Sequence, residues 1–144
     1  MSGDIEELGP IDYLVVEWPG RQPTGEAAPH LLDLVDRGLI RIIDLAFIVK
    51  TEDGAIEGME ISSFGPVAQE LLAFEGASSG LLSEEDFAEA GQALERGTTA
   101  ALLVYENRWA APFASAVRRS GAQLVASGRI PVQAIEAALD AAEA

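Results

Sequence analysis

A chain of 144 residues with 49% hydrophobic and 23% charged residues has globular rather than disordered composition, and is long enough to bury one core. Its formal net charge of −15 repels nucleic-acid phosphates and anionic lipid surfaces alike, so nucleic acid is excluded as a direct partner and a membrane surface is disfavoured. The absence of cysteine excludes disulfides, thiolate nucleophiles and cysteine metal sites.

Residues 1–10 have the polar, acidic composition of a flexible leader ending at Pro10, without the basic start and apolar run of a signal peptide. The longest apolar run, LIRIIDLAFIV at 39–49, is too short and too charged to span a bilayer, so no membrane insertion is expected and the protein belongs in the cytoplasm. A single α+β domain is expected over 11–144. IDYLVVEW (11–18) is rich in β-branched and aromatic residues and is stopped by Pro19-Gly20, which predicts a strand. LLDLV, with Pro29 before it and Gly38 after it, predicts a helix with a left-handed C-terminal cap. A second strand over 39–50, the Asp53-Gly54 turn and a returning strand over 55–64 predict a hairpin.

Two helical segments follow, PVAQELLAFEG and SEEDFAEAGQALERG, the second with Ser83 as N-cap and three acids behind it. TTAALLVYE (98–106) predicts a strand, PFASAVRRSG a helix, AQLVASGRI (122–130) a final strand and PVQAIEAALDAAEA a closing helix. Ala-Ala-Pro occurs twice, at 27–29 and 110–112. Proline is tolerated in the first helical turn, where its missing N–H has no partner to lose, so both prolines mark helix starts. YLVVEW…AAPHLLDLV…LIRII therefore echoes LLVYENRWAAPFASAV…AQLVA as strand–helix–strand twice over. Two such β-α-β units predict a ferredoxin-like sheet of about five strands, with the first and fourth strands central and the hairpin strand outside the second. Residues 39–50 are apolar on both faces, so the helices at 66–96 and 131–144, or a second subunit, are expected to cover the sheet on both sides.

Few constellations carry chemistry. Gly20-x4-Gly25 lacks the Lys and Ser/Thr of a phosphate loop and is followed by Glu26; a weaker anion site would use Arg21 and the next helix start. His30 is the only histidine, and Asp33 beside it does not complete a metal site. No metal and no cofactor are expected. The acids of 83–95 form a solvated helix face. Asp44 interrupts an apolar strand, so it is the candidate structural buried charge, requiring an arginine, a backbone donor or a bulge. YENRW at 105–109 sits where a strand yields to a helix; Trp109 and Phe113, with Trp18 at the end of the first strand, are the candidate interaction residues.

On GPIDYLVVEWPG, GLIRIIDLAFIVK-x-x-DG, GLLSEEDFAEAGQAL, ALLVYENRWAAPFASAV and ASGRIP, the chain resembles an uncharacterised actinobacterial family of unknown function, from about Gly9 to Ala138. LIRIIDLAFIVKTEDG with EDFAEAGQALERGTTAALLV is distantly similar to a broader group of small bacterial proteins that carry a glycine-rich apolar insert where this chain has only 65–82. GLLSEEDF is also similar to a short helical oligomerisation motif found at bacterial protein termini. The resemblance implies no activity and no catalytic residues. The expectation is a non-enzymatic interaction or structural protein acting as a homodimer, with a small-ligand-binding regulatory module as the alternative. A third reading, an enzyme using Asp44 with Glu17 or Glu106, has only its carboxylates to support it.

Overall fold

The computed structural model describes residues 7–20, 23–74, 76–77 and 79–143. Its elements are strand β1 (Ile11–Pro19), helix α1 (Ala28–Asp36), strands β2 (Ile40–Lys50) and β3 (Ile56–Met59), the short helix α2 (Ala68–Leu71), helix α3 (Glu84–Gln92), strand β4 (Thr98–Asn107), and helices α4 (Ala111–Arg119) and α5 (Val132–Glu143). The four strands form one antiparallel sheet in the order β1–β4–β2–β3, giving a mixed α+β fold.

Local chemistry accounts for the element ends. Pro29 stands in the first turn of α1, as does Pro112 in α4. α1 ends at Gly38, φ 72°, where the Gly38 N–H reaches the Val35 carbonyl and the Leu39 N–H the Leu34 carbonyl at 3.0 Å each; only a residue without Cβ takes that turn cheaply. In the β2–β3 turn Thr51 donates its hydroxyl to Asp53, and its own N–H bonds the Ala55 carbonyl at 2.8 Å. The Thr51 hydroxyl bond, with the Ala55 N–H, holds the exposed Asp53 carboxyl below its ordinary pKa.

The sheet buries both faces of its centre. One face presents Leu45, Phe47, Ala101 and Leu103 to α1 and the 61–74 segment, where Phe64 meets Phe47 edge to face at 5.1 Å. The other presents Ile48, Ala100 and Leu102 to Leu94, Phe87 and Ala90 of the α3 region. A register shift between Ile42 and Asp44 breaks the alternation expected for β2. It keeps Ile42 with Leu45 and Phe47 while turning Asp44 to the α3 side.

Four expectations are corrected. The strand expected over 55–64 stops at Met59, because the chain turns at Glu60–Ser63 to drive Phe64 into the core. Residues 122–130 form no strand, so among the described residues four strands stand where about five were expected, and every residue from Arg118 to Glu143 is exposed. β1 is consequently an edge rather than a central strand, and β4 and β2 are central. α5 buries none of its residues, so the closing helix covers no part of the sheet; α1, the 61–74 segment and α3 already fill both faces of β2 and β4.

Gly9 and Pro10, assigned by composition to the leader, are held in place: Gly9 is buried, and the Asn107 N–H bonds the Pro10 carbonyl at 2.8 Å. Residues 1–6 of that leader lie outside the described residues.

Candidate interaction surface

β1 is an apolar strand with little to lie against. Its outer edge has no partner among the described residues, and Ile11, Tyr13, Val15 and Val16 are 49%, 77%, 42% and 45% exposed. Monomeric proteins seldom leave such a row of large apolar side chains in water. Ile11, Tyr13 and Val15 share one face with Val104 and Leu102, where a cleft of about 570 Å³ runs between β1 and the Asp86–Ala93 side of α3. Leu14, Val16 and Trp18 share the other face, where a second cleft of about 540 Å³ is closed by Ala28, Leu31, Phe47 and Phe74. α1 packs chiefly against β2, and α3 against β2 and the far edge strand β3.

The strand-to-helix corner at 105–110 adds aromatic surface. Asn107 donates its amide to the Pro10 carbonyl at 3.1 Å and to Asp12 at 3.0 Å, and accepts the Trp109 indole N–H at 3.3 Å. The Trp109 backbone N–H reaches the Leu39 carbonyl at 3.1 Å. The indole is thus tethered by its polar end while 67% of the residue stays in solvent, and Phe113 one turn later is 74% exposed. Trp109 and Phe113 occupy the Ile11 end of β1, since Ile11 pairs with Glu106. Trp18, half-buried, pairs with Thr99 at the other end. At roughly 3.3 Å per residue, that end is about 23 Å away.

The carboxylates are occupied. Asp44, 1% exposed, accepts the backbone N–H groups of Ser79 at 3.0 Å and Leu82 at 2.8 Å, which anchor the loop leading into α3. Glu106, 2% exposed, accepts the Gly9 N–H and the Arg41 Nε, each at 2.8 Å, with Arg108 at 3.8 Å. Burial raises its pKa, but the Gly9 bond and the Arg41 bond and charge outweigh burial and hold the carboxyl below its ordinary value. Glu17 pairs with Ala100, four residues along β4 from Val104, the partner of Asp44, and six from Glu106, so it joins neither acid at one site. The Gly9–Arg41–Glu106 knot escaped sequence reasoning; its only signal was an acid following the apolar run of β4.

His30 is exposed at the rim of the second cleft with Glu26, and Asp33 pairs with Arg37 at 3.4 Å rather than with His30. Among the described residues no three His, Cys, Asp or Glu side chains converge on a metal position. Arg21 of the expected anion site lies outside the described residues. No described helix is long and apolar enough to cross a membrane.

No curated protein and no solved structure matches the chain. One family model does, across 7–144, a span that takes in β1, the aromatic corner and the whole C-terminal arm. The chain belongs to that family, DUF6325, a family of unknown function.

Proposed function

We propose that this is a non-enzymatic interaction protein of the bacterial cytoplasm that works as a homodimer, using the bare strand β1 and the Trp109–Phe113 corner. The apolar row of Ile11, Tyr13, Val15 and Val16, exposed on an edge strand, carries the reading. An edge of that kind templates pairing with another chain unless it is covered. Asp44 and Glu106 are spent on holding loops and strand ends, which supports an interaction role over acid–base chemistry. We read the side of β1 away from β4 as an open strand position. The net charge of −15 opposes association, so the dimer tightens as salt screens the repulsion. Light scattering over a dilution series at low and high salt checks this. A mass of 15.2 kDa throughout would refute the homodimer.

The second cleft favours one other reading, a small-ligand-binding module. Its walls are Leu14, Val16, Leu31, Phe47 and Phe74, with His30 and Glu26 as polar groups at the rim, the pattern of a site for a small, largely apolar molecule. A metabolite-class thermal-shift screen tests it, because a ligand that binds only the folded chain must raise its melting temperature.

A further inference from the structure

The bare strand has a counterpart elsewhere in the same chain. Residues 122–143 form an arm in which no described residue is buried: Leu124 is 80% and Val125 94% exposed, and Ile130 is also largely in solvent. Behind them, Val132, Ile135 and Leu139 lie at helical spacing on α5, an amphipathic helix with no buried residue. An edge strand bare on both faces and an apolar arm with no bed are complementary shapes.

We propose that the arm of each chain docks on β1 of a second copy, as a reciprocal exchange in which 122–130 becomes the sheet strand outside β1. This rests on the homodimer reading and says how the dimer is built. Three observations on the chain select the arm as the strand that fills this position, and the homodimer reading supplies the second copy. The segment 122–130 matches the nine residues of β1 in length. Laid antiparallel and end to end, it sets Val125 opposite Val16, Ile130 opposite Ile11 and Leu124 opposite Glu17, while Arg129, the one charge of the segment, meets Asp12. That register also brings the start of α5 to the Ile11 end of the acceptor strand, the end followed by Trp109 and Phe113. The stripe of Val132, Ile135 and Leu139 then has an exposed aromatic corner to cover. Strand addition of this kind draws its affinity from main-chain hydrogen bonds and its register from alternate side chains.

The lack of native cysteine makes the test direct. Residues directly opposite in an antiparallel pair have Cα atoms roughly 4.5–5.5 Å apart, within the span a disulfide bridges. Full-length Val16→Cys and Val125→Cys chains are mixed, equilibrated and mildly oxidised, and the Val16→Cys/Val125→Cys double variant is oxidised alone. Expected are a covalent heterodimer in the mixture and covalent dimers of the double variant. Closure of the double variant within one chain would show the arm docked on its own β1 and would overturn the exchange. In parallel, Val125→Pro removes a strand donor from a residue outside every helix and strand, so it should weaken self-association by at least an order of magnitude without changing the circular dichroism of the body. A wild-type dimer that neither cross-links nor responds to Val125→Pro would overturn the exchange and leave the homodimer standing. A monomeric wild type would overturn both.

Discussion

Asp44 shows how a charge can sit inside an apolar strand. Its two oxygens each accept a backbone N–H, from Ser79 and Leu82, so the carboxylate closes the loop ahead of α3 and needs no arginine. An amide there would point an NH2 at a backbone donor. Asp44→Asn should therefore cost about 2–3 kcal/mol in urea unfolding, with the fold kept. Thr98 is the opposite case. It is fully buried, and its hydroxyl has no hydrogen-bond partner. Thr98→Val keeps the shape and removes the orphaned group, so it should be neutral or stabilise the protein by up to about 1 kcal/mol. A loss above that size would mean the hydroxyl is satisfied in solution.

Single elements are held by end chemistry as much as by burial. The Asp86 N–H reaches the Ser83 hydroxyl at 3.2 Å, and the Ser83 N–H reaches the Asp86 carboxylate at 2.9 Å, a reciprocal cap on α3. The Ser83 backbone and hydroxyl bonds hold the exposed Asp86 carboxyl below its ordinary pKa. At the other end Lys50 donates to the Gly91 and Leu94 carbonyls at 3.0 and 3.1 Å, a cation where the helix dipole is negative. Ser83→Ala should cost about 1 kcal/mol, measured by the shift of the denaturation midpoint at unchanged slope.

Across the whole molecule, Glu106 ties the start of β1 to β2 and β4 through Gly9 and Arg41. Its folded pKa lies below the ordinary value. The stabilisation is therefore present above the ordinary glutamate range and lost as pH falls through the folded value. Glu106→Gln should lower stability at neutral pH and flatten the fall in melting temperature on acidification. An unchanged acid limb would place the pH dependence elsewhere. The same end of the molecule carries the exposed Trp109 and Phe113.

Helix starts at Pro29 and Pro112, the Gly38 cap, the Asp53-Gly54 turn and the Ser83 cap were all legible in the sequence, because each depends on residues within about five positions of one another. The strands at 11–19, 40–50 and 98–107 were legible as strands for the same reason. Their neighbours were not. Whether IDYLVVEW is central or an edge depends on whether AQLVASGRI pairs with it, a contact between residues more than a hundred positions apart, and β-branched composition is compatible with both outcomes. The bulge that turns Asp44 inward, the early end of β3 at Met59 and the Gly9–Arg41–Glu106 knot were likewise decided by long-range packing. Local periodicity determined what each segment could become; only the competition for space on the two faces of the sheet decided which segments were covered and left β1 and the arm bare.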